Sequence, residues 1–329
     1  MTKIGYFLAS EEHGPNELVR QARLAEEAGF DGLWISDHYH PWIDEQGESP
    51  FVWAVIGALS QAVSLPVTTA VTCPIIRIHP VIIAQAAATA QVLLDGRFRL
   101  GVGTGEAINE IPLGYEFPGY AERIERMGEA LEILRRLLGG EKLDFDGTHY
   151  TTRAAKLYSP PLGTVPIWMA AGGPKSATFA GRHADGLITS VKDPAETLER
   201  VIGPYREAAA ARGAATTILA TRWCVLAADD DEAWEALAPM RGLRAPGRLE
   251  VADPMILRQR ADEMDRAEIL GKYTVVRDLD ALAEAYRPLV TDVGADYVAI
   301  QVASVDPERT IAGIGAEVLP RLRDWAGQA

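Results

Sequence analysis

The chain has 329 residues, of which 48 % are apolar and 24 % charged, a composition typical of a soluble globular protein with a large core. A net charge of −14 and the lack of any basic run argue against nucleic acid as a partner, because phosphate backbones are bound by clustered Lys and Arg. No apolar run reaches membrane-spanning length and no signal-like segment opens the chain, so we expect a cytoplasmic protein that does not contact a membrane. Cys73 and Cys224 lie in apolar sequence without metal-ligand spacing, which predicts buried thiols and no metal site.

Strand-like and helix-like segments alternate along the whole chain. The predicted strands are 4–8, 32–36, 67–71, a segment that begins at Arg97, 165–171, 186–191, 218–227 and 297–302. The predicted helices are 15–28, 51–62, 79–94, 120–138, 176–182, 194–212, 279–290 and 311–326.

Eight near-continuous apolar strands separated by helices are typical of a parallel (β/α)8 TIM barrel. An open, doubly wound sheet has the same alternation and is the alternative. We interpret 1–329 as a single domain with insertions near 107–119, 140–160 and 232–270. The second insertion contains two alternating runs around Asp-Gly, which predicts a hairpin.

The segment from Arg97 to Glu110 reads RFRLGVGTGEAINE and is rich in glycine. A dinucleotide fingerprint, G-x-G-x-x-G, would need its third glycine at position 106, where this chain has Glu106. A carboxylate there would repel a pyrophosphate. The segment is better explained as a barrel strand whose glycines leave room for a flat ligand and whose C-terminal end carries an acid.

In a TIM barrel the active site lies at the C-terminal ends of the strands, which selects a short list of residues. The first four strands end near acids, an imidazole and an indole. Gly172, Gly173 and Lys192 follow the next two strands and suit an anion, because a helix N-terminus and an ammonium group both attract negative charge. Each residue alone has a structural explanation as well, such as a helix cap, a tight turn or a solvated lysine. Together they suit a redox cofactor with a phosphorylated tail.

Three motifs resemble those of the F420-dependent glucose-6-phosphate dehydrogenase group in the bacterial-luciferase-like superfamily. They are S-D-H-x-x-P-W at 36–42, G-V-G-T-G-E-A-x-N-E at 101–110 and A-A-G-G-P at 170–174. The resemblance implies a luciferase-like TIM barrel, a homodimer, the deazaflavin coenzyme F420 and a small-molecule substrate. It also implies hydride transfer from the carbinol carbon of a sugar phosphate of the hexose 6-phosphate type.

The same resemblance implies roles for individual residues. His38 would take the hydroxyl proton, Trp42 would hold the developing alkoxide, and Glu106 would act at ring nitrogen N1, with Glu11 also near the reacting carbon. A non-prolyl cis peptide is expected near Ala70-Val71. The residues expected to contact the coenzyme are Asp37, Ala70, Val71, Cys73, Thr104, Gly105, Glu106, Asn109, Ala171, Gly172 and Gly173.

The expected phosphate site departs from the family pattern. The related enzymes hold the substrate phosphate with two lysines and an arginine, whereas the corresponding positions here are Lys192, Gln259 and Tyr273. A neutral amide and a phenol remove much of the charge-assisted binding, and the neighbouring cations available to replace it are Arg258, Arg260 and Lys272. The alternatives are therefore a dehydrogenase of unphosphorylated secondary alcohols, a reductase or monooxygenase that uses FMN or reduced F420, or a ligand-binding barrel without turnover.

Overall fold

The computed structural model describes residues 2–328 and contains eleven strands in that range. In chain order they are β1 Lys3–Leu8, β2 Gly32–Ile35, β3 Val67–Thr69, β4 Phe98–Val102, β5 Leu143–Asp146, β6 Thr151–Ala155, β7 Ile167–Ala170, β8 Gly186–Ser190, β9 Thr217–Leu226, β10 Thr274–Val276 and β11 Tyr297–Ala303.

Eight of these strands close into a parallel barrel. The order is β11-β1-β2-β3-β4-β7-β8-β9, and β9 pairs with both β8 and β11, which closes the ring. The predicted TIM barrel is therefore confirmed, and the open doubly wound sheet is excluded. β5 and β6 form the predicted antiparallel hairpin outside the barrel, and β10 extends the sheet beside the second half of β9.

Helices connect the strands and cover the outside of the barrel. They are α1 Pro15–Glu27, α2 Val52–Ala62, α3 Pro80–Leu93, α4 Ala107–Glu110, α5 Tyr120–Leu138, α6 Pro174–His183, α7 Pro194–Thr197, α8 Gly203–Ala210, α9 Asp230–Leu237, α10 Pro254–Asp262, α11 Arg266–Leu270, α12 Leu279–Thr291, α13 Pro307–Gly313 and α14 Leu319–Gln328. Short 3-10 turns lie at Asp44–Gln46, Ile111–Leu113, Ala238–Arg244 and Arg248–Glu250, and π turns at Leu198–Ile202 and Ile314–Val318.

Three predicted elements differ from the structure in extent or continuity: the third strand, the helix over 194–212, and the helix over 311–326, which is divided by the π turn Ile314–Val318. The third strand ends at Thr69, short of the predicted Val71, because the Thr69 hydroxyl and the Thr72 amide both donate to Gly101 O and interrupt the regular ladder. The peptide bond between Ala70 and Val71 is cis, as the resemblance implied. The helix predicted over 194–212 is divided by a π turn ahead of Pro204, which has no N–H to donate.

The alternation of residues along each strand builds two apolar layers. On β1 and β2, Ile4, Leu8 and Leu33 face the helices, whereas Trp34 points into the barrel. Inside, Trp34 stacks on Trp168 with ring centroids 6.1 Å apart. These indoles fill the barrel interior, and Trp34 also lines the cavity that opens at the C-terminal ends of the strands.

Gly101 on β4 has no room for a side chain. A Cβ at this position would lie 1.9 Å from Thr69 O and 2.8 Å from Ile188 Cδ1. We expect Gly101→Ala to lower the free energy of unfolding by about 1–3 kcal/mol, as overpacking does, measured by denaturant unfolding. In the matched control Gly128→Ala on α5, the new methyl would meet only Phe179 Cζ at 3.9 Å, so stability should be kept or improved. Equal unfolding midpoints for Gly101→Ala and the unmodified chain would contradict this packing.

Candidate active site

A cavity of about 510 Å3 opens at the C-terminal ends of the barrel strands. Of the two glycines predicted to contact the coenzyme after β7, Gly172 lines the cavity. Gly173 lies next to it as the N-cap residue of α6. The other predicted residues on the cavity wall are Glu11, Asp37, His38, Trp42, Ala70, Val71, Cys73, Thr104, Gly105, Glu106, Asn109 and Ala171. The four predicted catalytic residues thus lie together, although they come from three different strand ends.

The predicted substrate-binding residues are not brought together in this cavity. Lys192 lines a smaller cavity next to it, and Tyr273 is buried behind its wall. Arg258 and Gln259 are exposed on α10, whose buried face is formed by Leu257 and its neighbours one turn away. Helical periodicity therefore turns positions 258 and 259 away from the barrel. Arg258 Nε instead forms an ion pair with Glu45 at 2.8 Å.

The His38 side chain is held between a carbonyl and two carboxylates. Its Nδ1 lies 3.2 Å from His40 O, and because a carbonyl only accepts, Nδ1 carries the hydrogen. Nε2 lies 3.1 Å from Glu11 Oε1 and 3.6 Å from Glu106 Oε2. The Trp42 ring is 5.2 Å away between centroids. Nε2 is thus the ring nitrogen that faces the two acids.

Glu11 is fixed by a chain of serine hydrogen bonds. Ser36 Oγ donates to Glu11 Oε2 at 2.5 Å, and Ser10 N donates to Ser36 Oγ at 2.9 Å. All three residues are buried. Because Ser36 directly follows β2 and Ser10 follows β1, the spacing of the first two strands sets the position of this carboxylate beside His38.

Asp37 lies in a buried ionic network that sequence reasoning did not find. Asp37 Oδ1 is 2.7 Å from Arg77 Nη2, and Thr72 Oγ1 donates to the other carboxylate oxygen. The backbone N–H of Arg77 donates to Glu110 Oε2 at 2.5 Å. Burial raises the pKa of the Glu110 carboxyl. Arg77 follows β3 in a segment without helical or strand periodicity, so only its isolated charge marked it in the sequence.

Two arginines of the segment 230–276 complete the cavity wall, and the sequence did not indicate either of them. Arg248 Nη1 lies 3.4 Å from Glu106 Oε1, and its guanidinium is 5.4 Å from the centroid of the Trp42 ring. Arg244 lines the same wall. Burial lowers the pKa of Arg248; the Glu106 charge opposes this shift, and repulsion from the Arg244 guanidinium adds to it.

The cavity fits a flat cofactor with an anionic tail. Small side chains such as Ala70 and Ala171 line it, and a Cβ on Gly172 or Gly173 would meet nothing within 4 Å, which leaves open space before the N-terminus of α6. That N-terminus has no side-chain cap and so offers N–H groups to an anion. The buried Thr189 hydroxyl lines the cavity without a partner among the described residues and is free to bond a ligand.

Comparisons with known proteins identify the family. A family model described as luciferase-like monooxygenase matches residues 2–307. The chain belongs to this family. Among curated luciferase-like relatives, an F420-dependent glucose-6-phosphate dehydrogenase of Nocardia farcinica (strain IFM 10152) is 36 % identical, with 98 % of this chain and 99 % of that protein covered. The F420-dependent glucose-6-phosphate dehydrogenase of Mycolicibacterium smegmatis (strain ATCC 700084 / mc(2)155) is 35 % identical, again with 98 % of this chain and 99 % of that protein covered.

Solved structures of luciferase-like proteins agree with the fold. An F420-dependent secondary alcohol dehydrogenase in complex with an F420-acetone adduct superimposes with a TM-score of 0.91 at 32 % identity, covering 98 % of this chain and 100 % of that chain. A coenzyme F420 dependent tetrahydromethanopterin reductase from Methanopyrus kandleri has a TM-score of 0.78 at 21 % identity, covers 98 % and 99 %, and supports the fold alone. Within residues 2–328 no helix is long and apolar enough to span a bilayer.

Glu12 adds a pH-dependent contribution to stability in this luciferase-like chain. Burial, reinforced by the negative charge of Glu11, raises the pKa of Glu12 from 4.5 to about 8. The folded chain therefore keeps a proton that the unfolded chain loses above pH 4.5. The stabilising contribution is complete below that pH and is lost as the pH rises through about 8.

We expect Glu12→Gln to melt at a higher temperature than the unmodified chain at alkaline pH, with the difference shrinking as the pH falls towards 5. Thermal melts across this range measure it. The exposed Glu27 provides the control, since Glu27→Gln should leave the pH profile as it is. A constant difference between Glu12→Gln and the unmodified chain at all pH values would show that Glu12 has an ordinary pKa.

Proposed function

We propose that this chain is an F420-dependent dehydrogenase that oxidises a CH–OH group, with a sugar phosphate of the hexose 6-phosphate type as substrate. The observation that carries the proposal is the placement of His38 Nε2 between Glu11 and Glu106 in a cavity with small side chains and an open helix N-terminus. The curated relatives described as F420-dependent glucose-6-phosphate dehydrogenases, near 36 % identical over almost the whole chain, support the cofactor and the reaction class.

The chain's own residues supply the proton chemistry. Coenzyme F420, when bound, supplies an electron-deficient carbon, C5, that accepts a hydride. His38, whose Nδ1 hydrogen is fixed by His40 O, takes the alcohol proton on Nε2. Glu11 stabilises the imidazolium that forms, because its carboxylate lies 3.1 Å from Nε2. The Trp42 indole N–H is the proposed donor to the substrate oxygen, and Glu106 is the proposed acid at ring nitrogen N1.

The remaining predicted residues form the proposed coenzyme site. Thr104 and Gly105 follow β4, Asn109 Oδ1 accepts from Tyr39 N at 2.8 Å, and Cys73 lies beside Gly105. Burial raises the pKa of the Cys73 thiol, which makes it a packing group and not a nucleophile. We propose that the further contacts come from Asp37, Ala70, Val71, Ala171, Gly172 and Gly173.

A reduction assay tests the proposed function. Purified protein is mixed with oxidised F420 and, separately, with glucose 6-phosphate, fructose 6-phosphate, mannose 6-phosphate and simple secondary alcohols. Loss of the visible absorbance of F420 with a sugar phosphate supports the proposal. Protein that is yellow as purified and reduces only FMN would contradict it.

An unphosphorylated secondary alcohol is the second candidate substrate. The observation that favours it is the close superposition on an F420-dependent secondary alcohol dehydrogenase, with a TM-score of 0.91, together with the exposure of Gln259 on α10. In the same assay this candidate predicts that F420 is reduced with the simple secondary alcohols and not with the sugar phosphates.

We further propose that the protein is a cytoplasmic homodimer that pairs through α2 and α3. Four apolar residues on or beside these helices are exposed, and the groove of about 280 Å3 among them has no charged lining residue. A second copy would meet this face without charge repulsion, despite the net charge of −14. The exposed residues are Phe51, Ile82, Val92 and Leu93.

Sedimentation velocity tests the dimer. We expect Ile82→Glu to produce monomers, whereas Leu162→Glu, a control at an equally exposed loop position, should leave the dimer intact. A monomeric unmodified chain would contradict the proposal. Cell fractionation tests the proposed location.

A further inference from the structure

A second, smaller cavity lies beside the active-site cavity at the same end of the barrel. Its volume is about 280 Å3. Ser190, Trp223 and Arg244 line both cavities, so the two share a wall. When the carbinol carbon of a substrate lies near His38, a second functional group of the same substrate can enter this smaller cavity.

The smaller cavity is cationic. Of its eight lining residues, four are Lys or Arg and none is acidic. This local excess of positive charge is opposite to the charge of the whole chain, which has 46 acidic and 32 basic residues. The four cations are Lys192, Arg222, Arg244 and Lys272. Their concentration at one cavity indicates an anionic ligand.

Two of the four cations are engaged with the protein. Arg222 donates to the carbonyls of Val191, Lys192 and Ala285, so it supports the backbone. Lys272 Nζ lies 3.1 Å from Glu268 Oε1, which neutralises part of its charge. Lys192 and Arg244 have no carboxylate within 4 Å among residues 2–328, and Arg244 Nε is buried without a hydrogen-bond partner.

Stacking fixes the orientation of Arg244. Its guanidinium lies 4.4 Å from the centroid of the Tyr273 ring, and Tyr273 packs edge-on against Trp223. A stacked guanidinium presents its planar N–H groups edgewise, the geometry that pairs with two oxygens of a phosphate. The buried Tyr273 hydroxyl has no partner in the described chain. Burial raises the pKa of Tyr273 to about 12, so this hydroxyl remains a donor at neutral pH.

We propose that Arg244, with Lys192 beside it, binds the phosphate of the substrate in the smaller cavity. This inference rests on the proposed dehydrogenase function and deepens it: Arg244 selects phosphorylated alcohols over neutral ones. Gln259 has no part in this site, since it is exposed on α10. The cation comes instead from the segment that also supplies Arg248 to the active-site wall.

Steady-state kinetics with glucose 6-phosphate and glucose test the assignment. We expect Arg244→Gln to raise KM for glucose 6-phosphate roughly 10- to 100-fold, the loss typical of a charge-assisted contact, with kcat changed less than about threefold. With glucose, kcat/KM should fall far less than with glucose 6-phosphate, because glucose carries no phosphate for Arg244 to bind. Arg244→Lys should fall in between because it keeps the charge and loses the planar fork. Arg153→Gln, an exposed change on the hairpin, is the control for net charge.

A binding measurement separates this inference from the proposed function. Titration calorimetry with inorganic phosphate is done on the full chain without cofactor. Phosphate binding that Arg244→Gln weakens by about tenfold or more supports the site even if no alcohol is oxidised. Equal phosphate binding by both proteins, no binding by the unmodified chain, or an equal loss of activity with glucose and glucose 6-phosphate would overturn the assignment to Arg244 while leaving the dehydrogenase function intact.

Discussion

Replacing His38 with alanine is expected to lower kcat by about 10²- to 10⁴-fold, the range of a positioned general base. Only Nε2 of this ring is free to take the alcohol proton, since Nδ1 donates to His40 O. The variant should also lose the dependence of kcat/KM on pH that arises from an ionising base. Both effects are measured by F420 reduction over a pH series.

Binding and folding controls accompany this measurement. His183→Ala changes an exposed histidine at the far end of α6 and should keep full turnover. Coenzyme affinity and unfolding midpoint should be similar for His38→Ala and the unmodified chain. If His38→Ala retained full turnover with the same pH profile, another group would have to be the base.

Removal of Asp37 is expected to have the largest effect on stability. Asp37 and Arg77 are an ion pair of 2.7 Å in which both side chains are almost inaccessible to water, at 0 % and 5 % exposure. Asp37→Ala leaves a guanidinium buried without its partner, which costs about 3–5 kcal/mol of unfolding free energy. Denaturant unfolding measures this loss.

The double variant Asp37→Leu, Arg77→Met separates the cost of leaving a buried charge unpaired from the cost of removing side-chain volume. We expect it to be more stable than Asp37→Ala, because neither charge is left buried alone. The exposed pair of Arg200 and Glu196 is the comparison, since Glu196→Ala should cost at most about 1 kcal/mol. If Asp37→Ala and the unmodified chain had the same unfolding midpoint in denaturant, water would have to reach Arg77.

The barrel and half of the site could be predicted because both depend on local sequence. A buried parallel strand has a nearly continuous apolar sequence. The acids after β1, β2 and β4 follow such sequences directly. The sequence alone therefore predicts that Glu11, His38 and Glu106 lie together, although their distances depend on contacts such as that between Ser36 and Glu11.

The substrate side could not be predicted in the same way. Arg244 and Arg248 lie in the 3-10 turns Ala238–Arg244 and Arg248–Glu250, whose path is set by packing against Trp42 and Ile43. The family pattern pointed to Gln259, with Arg258 as a neighbouring cation, but the buried face of α10 turns both outwards. Arg77 was missed for a related reason, since its partner Asp37 is distant in sequence and adjacent only in the fold.

The central claim is that a hydride passes from the carbinol carbon of a sugar phosphate to coenzyme F420 in the cavity around His38. The most direct test uses glucose 6-phosphate with deuterium at C1 and determines the isotopic content of the reduced coenzyme by mass spectrometry. We expect to find the deuterium in the reduced coenzyme, and we expect His38→Ala to form this labelled product far more slowly. Reduced coenzyme without deuterium, or labelled coenzyme formed equally fast by His38→Ala, would contradict the central claim.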